Sequence, residues 1–319
     1  MKVSELREKI KDYSKTDLEK VLVEFYKSIP KKIKEENEVD DIIINVGKPN
    51  TPKKDIIDYD DLANEVLSFI SDVDDGLYAR PNRIIPKTER SKWRFKVKNY
   101  YKNLIKITPD SKDGEGATNL LIMLYERLST GSAYLAFSSW NTFGALGVSQ
   151  NEYFYELMNK ILFNGINKNS LTKCASILDN YTDSNNFSKS NYYTFRSFLS
   201  ETEEKNLGIE VLLELRDCIK NRLSKTKGDL LQYEYGHRIE LIDTCIMEIY
   251  FSMNRVSEGI KYINSASTEK KSTINNLILS SLKEEELYED WLKIYEKFKD
   301  LFPSYYDVHD DYKIIKSKI

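Results

Sequence analysis

A chain of 319 residues with only 12 glycines and 7 prolines has little of the turn chemistry that a many-stranded β protein requires. Tight hairpins draw on glycine for positive φ and on proline for a preset φ, so their scarcity leaves the helix as the element able to carry most of the chain. The apolar pattern agrees. Leu62, Val66, Phe69, Ile70 and Val73 recur at helical spacing behind Asp58, Asp60 and Asp61, which suit a helix start. The segment from Thr118 to Phe137 is apolar nearly all round, carrying Leu120, Leu121, Met123, Leu124, Leu128, Leu135 and Phe137. With small Gly131, Ser132 and Ala133 near its end, it predicts a central helix that a neighbour can approach closely.

The fold class expected is all-α: an N-terminal helical hairpin followed by an α-helical array. Residues 1–45 form the hairpin, in which Leu6, Ile10 and Tyr13 share a face, Ser14 with Asp17 makes a capping-box-like start, and Leu18, Val21, Leu22, Phe25 and Ile29 continue to Pro30. Gly47, Pro49 and Pro52 mark a linker over 46–58. The remainder, 59–319, reads as one helical domain, with a core and a basic helix in 59–148 and helix pairs in 149–319. Candidate helix starts at Ser149, Ser190, Asp229 and Thr268 recur at intervals of roughly 40 residues, with second helices expected near Ser170, Glu203, Val256 and Glu284. That is the beat of a solenoid of antiparallel pairs. No residue signature recurs from unit to unit, so an irregular all-α domain with helices of similar length is the alternative.

Val3, Leu6, Arg7 and Ile10, followed by Leu18, Val21 and Leu22, resemble the SAP-type helical hairpin, with Tyr13 and Ser14 in place of that family's glycine-plus-leucine turn. The resemblance implies DNA binding by this short segment.

Motifs of catalysis are missing. There is no G-x-x-x-x-G-K-[ST] phosphate loop and no G-x-S-x-G elbow, and Gly114 with Gly116 and Gly144 with Gly147 do not follow a strand. Glu234 and His237 share a helix face, but His309 has Tyr306 where a second E-x-x-H motif needs an acid, so a structural histidine beside a carboxylate is expected. Asp72, Asp74, Asp75 and Gly76 hint at a calcium loop, yet the glycine sits fifth and position twelve is Arg83. No catalytic residue, metal ligand or cofactor is expected. Cys174, Cys218 and Cys245, widely spaced and in helical patterns, read as buried reduced thiols. The charged N-terminus and the absence of an apolar run near 20 residues lead to the expectation of a cytoplasmic protein with no membrane partner.

Charge is where the chain departs from the ordinary. The whole carries −3, whereas Arg80 to Lys106 holds ten Lys or Arg and one acid, Glu89, leaving −12 for the rest. Four of the 11 arginines, Arg80, Arg83, Arg90 and Arg94, fall in this stretch, and arginine offers the planar donor pair that suits phosphate or carboxylate. From Trp93 onward, Val97, Tyr100 and Leu104 share one helix face while Lys92, Lys96, Lys98, Lys102 and Lys106 occupy the opposite arc, with Phe95 among them. Arg80, Arg83, Arg90, Arg94, Phe95, Lys98 and Lys102 are the candidate contact residues. Three readings stand open: internal pairing with the chain's own acidic runs, an acidic protein partner, or nucleic acid. The function expected first is a non-enzymatic scaffold or adaptor, then a nucleic-acid-binding protein, then an enzyme whose site has no readable spacing.

Overall fold

The computed structural model describes residues 3–30, 33–34, 39, 43, 58–79, 92–133, 136–137, 139, 141–180, 189–267, 269–303 and 307–319. These residues are all-α: fifteen α-helices and one 3-10 turn, with no strand among the described residues. The chain divides into two compact units, Met1–Ile56 and Ile57–Ile319.

The first unit contains α1 (Val3–Ile10) and α2 (Lys15–Ser28). Ser14 caps α2: its hydroxyl accepts the Asp17 amide and donates to the Asp17 carboxylate at 2.6 Å, which also places an acid at the positive end of the helix dipole. No residue of α2 is buried, and Leu18, Val21, Leu22 and Phe25 stay exposed. Apart from Asp58, the linker expected over 46–58 lies outside the described residues.

In the second unit Asp58 caps α3 (Tyr59–Asp74), and the stripe Leu62, Val66, Phe69, Ile70 and Val73 is buried as its spacing predicts. Both α3 and α4 (Trp93–Lys106) pack on α5 (Gly114–Ala133). The central helix is described to Ala133, and Phe137, expected within it, instead lies back over its last turn against Gly131. An added Cβ at Gly131 would lie 2.4 Å from that ring, so glycine is what permits the approach. A short α6 (Thr142–Leu146) follows, closed by Gly147 at φ 76°, a left-handed conformation that glycine adopts without strain.

The remaining helices are α7 (Gln150–Ile161), α8 (Lys168–Asn180), α9 (Lys189–Ser197), α10 (Thr202–Leu223), α11 (Asp229–Ser252), α12 (Val256–Ala266), α13 (Lys271–Glu284), α14 (Tyr288–Phe298) and α15 (Val308–Lys316). Helix α7 packs on α9, α9 on α11 and α11 on α13, while α8 packs on α10. Ser149 opens α7 with a full capping box to Glu152. Other starts shift: Ser190 falls inside α9, Gly228 precedes α11, and Thr268 lies outside the described residues. The second helix expected at Glu284 opens instead at Tyr288. Ile278, Leu279 and Leu282 keep α13 on the core through that point, and the break comes at Glu286, whose φ is 56°.

Two apolar clusters form the interior. One runs from α3 to the middle of α11 through Val66, Trp93, Leu104, Leu124, Phe154, Phe195 and Leu212, and the other joins Met247 and Phe251 of α11 to Ile278, Leu282, Trp291 and Ile315. Helix α11 therefore belongs to both. Cys174 and Cys245 are buried, but Cys218 is exposed, contrary to expectation, because Ile219 takes the inward position on that turn of α10. No described helix is long and apolar enough to cross a membrane.

Candidate functional site

Helix α4 begins poorly by its own chemistry. Lys92 at its N-cap makes no side-chain cap bond, its first turn holds no acid, and Arg94 sits at the positive end of the dipole. Packing supplies what the terminus lacks. Trp93, Val97, Tyr100 and Leu104 are buried, the Trp93 ring lies 4.4 Å from the Phe137 ring, and Phe69 meets Tyr100 edge-on at 5.9 Å. At the far end the nearly buried Lys160 of α7 donates to the Ile107 carbonyl at 2.6 Å, bringing a cation to the negative end of α4.

With one face fixed, the outer arc follows from helix geometry. Arg94, Lys98, Lys102 and Lys106 fall in one i, i+4 row roughly 18 Å long. All four are exposed, and none forms an ion pair with a described carboxylate. Phe95 stands beside the row at 52% exposure, with the Arg94 guanidinium carbon 4.9 Å from its ring centre. The structure thus brings together Arg94, Phe95, Lys98 and Lys102 of the expected set and adds Lys106, whose place in the row follows from the same 100° rotation. Arg80, Arg83 and Arg90 lie outside the described residues.

The ridge is narrow because acids line both flanks. On one side a groove of about 570 Å³ has Glu65 and Asp72 of α3 facing Lys96 and Asn99. Burial first, then the Glu65 charge, pushes the Tyr100 hydroxyl at its base up to about 12, so it stays protonated near neutrality. On the other side a hollow of about 380 Å³ holds Tyr101 and Tyr155 with Glu152 and Glu156. Burial, then Glu156 and Glu152, likewise pushes Tyr101 up to about 12. Positive potential is therefore confined to the crest, and an anion approaching either flank meets carboxylates.

The other candidates resolve into structure. Asp74 receives two hydrogen bonds from Arg127, at 2.6 and 2.9 Å, and Gly76 at φ 73° turns the chain away after α3. His237 has its Nδ1 3.4 Å from a Glu240 oxygen, and its ring stacks on Tyr233. His309 has Nε2 3.1 Å from the Pro303 carbonyl and Nδ1 2.9 Å from the Tyr295 hydroxyl. A carbonyl only accepts, so in the neutral ring Nε2 carries the proton and Nδ1 accepts from Tyr295. No group of three or more metal-ligating side chains occurs among the described residues. No protein-family model, no curated protein and no solved structure matches this chain, so the likeness of the N-terminal hairpin to the SAP type rests on its helix spacing alone.

Proposed function

We propose that this chain is a non-enzymatic scaffold or adaptor that holds an acidic protein partner along the crest of α4. The observation that carries the reading is the row of Arg94, Lys98, Lys102 and Lys106, exposed, without a carboxylate partner among the described residues, and with Phe95 unburied beside it. Four like charges at i, i+4 spacing repel one another, and an uncapped start with Arg94 in its first turn adds to the burden on α4. An anionic partner removes that repulsion. The acidic flanks favour a partner that meets one ridge, such as an acidic helix or extended segment, over a broad negative face.

A second reading, nucleic acid, is favoured by Phe95 with Arg94 against its ring: an exposed aromatic beside a cationic row is the unit on which an unpaired base stacks while phosphates meet Lys98 and Lys102. A single strand fits the narrow crest better than a duplex. Salt separates the two. Fluorescence anisotropy of a labelled poly-glutamate peptide and a labelled single-stranded oligonucleotide, titrated at several salt concentrations, should show binding of the peptide. Tighter binding of the oligonucleotide with a steep log-log salt slope, abolished by Phe95→Ala, selects the nucleic-acid reading. Binding of neither probe at low salt removes both.

A further inference from the structure

Helices α10 and α11 are the longest among the described residues, and the five-residue turn between them makes them an antiparallel hairpin. Their joined end stands clear of the core: from Lys220 to Tyr233 every residue except Leu223 and Thr226 is exposed. Leu230 is 71% exposed, Leu231 45% and Tyr233 68%. The end is nevertheless ordered by its own hydrogen bonds. Ser224 donates to the Asn221 carbonyl, Thr226 to the Arg222 carbonyl, and Gln232 to the Thr226 carbonyl at 2.8 Å.

The turn at this tip and the end of α10 leading into it carry charge of one sign. Residues 218–228 contain Lys220, Arg222, Lys225 and Lys227 and no acid. Lys220, Lys225 and Lys227 form no ion pair with a described carboxylate. Asp229, the one acid between Lys220 and Tyr233, sits in the first turn of α11, at the positive end of the helix dipole. Apolar side chains at a convex summit, a tyrosine beside them and lysines on the adjoining turn match a surface that is anionic outside and apolar a few ångströms below.

We propose that the α10–α11 tip docks on an anionic lipid surface, Leu230, Leu231 and Tyr233 entering the headgroup boundary while Lys220, Lys225 and Lys227 meet lipid phosphates. Such a contact lies on the bilayer and is compatible with the lack of a spanning helix among the described residues. It uses residues separate from the α4 crest, so either proposal can fail alone.

The test is co-sedimentation of the full chain with vesicles of phosphatidylcholine, alone or mixed with phosphatidylserine, with a vesicle-free control for aggregation. The chain should pellet with the mixed vesicles only. Lys225→Gln with Lys227→Gln should weaken partitioning about fivefold for each lysine removed, and salt should do the same. Leu230→Ser with Leu231→Ser, both exposed and therefore neutral to folding, should weaken it about tenfold or more, while Arg94→Gln with Lys98→Gln leaves it unchanged. No pelleting with mixed vesicles overturns the proposal. So does pelleting that survives both tip variants, or a tip-dependent dimer in light scattering without vesicle binding, which would make the tip a protein interface.

Discussion

Glu248 has its carboxyl almost wholly out of water, accepting from Ser281 at 3.0 Å, with Arg196 3.5 Å away and itself bound to Glu285 at 2.6 Å. Burial raises its pKa, outweighing the opposing pull of Arg196 and Lys189. A carboxyl whose folded-state pKa exceeds its unfolded value favours the fold while protonated. Its contribution is therefore full below the unfolded pKa and is lost as pH rises through the raised folded one. Urea unfolding at pH values from about 4 to 8 should show a decline in stability across the weakly acidic range that Glu248→Gln flattens, and an unchanged slope in that variant contradicts the assignment. Arg196→Ala leaves the buried carboxylate without its nearest cation and should cost about 3 kcal/mol in the same assay near neutrality. None of this is legible along the chain. Nothing in the spacing of Glu248 sets it apart from an exposed acid, and it is interior because both apolar clusters converge on α11.

Elements were legible where their signals are local. The stripe of α3 and the buried face of α4 follow from 3.6-residue spacing, and Ser149 with Glu152 announces α7 because a capping box is complete within four residues. Ser149→Ala should therefore lower stability by about 1 kcal/mol in thermal or urea unfolding, and no change would show that tertiary contacts alone hold that end of α7. The end of α5 was not legible, since Phe137 continues the apolar pattern and its return over Gly131 is a tertiary contact. Gly131→Ala places a methyl against that ring and should destabilise the protein by about 1–3 kcal/mol despite alanine's better helix propensity; a stabilised variant would refute the close approach. The exposed tip of α10 and α11 was hidden for the opposite reason. Nothing in the local sequence marks Leu230, Leu231 and Tyr233 as exposed, and their exposure follows from how far the hairpin extends.

At the scale of the molecule, scarce glycine and proline and helical periodicity were enough to define an all-α fold, because those constraints act on every segment at once. Which helices stack on which was not, since α7 on α9 and α9 on α11 are contacts between segments roughly 40 residues apart with no shared signature. The candidate surface was half legible: sequence located the cations and their arc, while the lack of carboxylate partners among the described residues and the acidic flanks from α3 and α7 are tertiary facts. The most direct measurement is anisotropy of labelled poly-glutamate at low salt, titrated with the wild-type chain and with an Arg94→Gln, Lys98→Gln, Lys102→Gln, Lys106→Gln variant whose helicity is checked by circular dichroism. Binding by the wild type and a loss of at least about tenfold in the variant, with unchanged helicity, are the expected results. Equal affinity of the two proteins, or no binding by the wild type, would contradict the proposed contact.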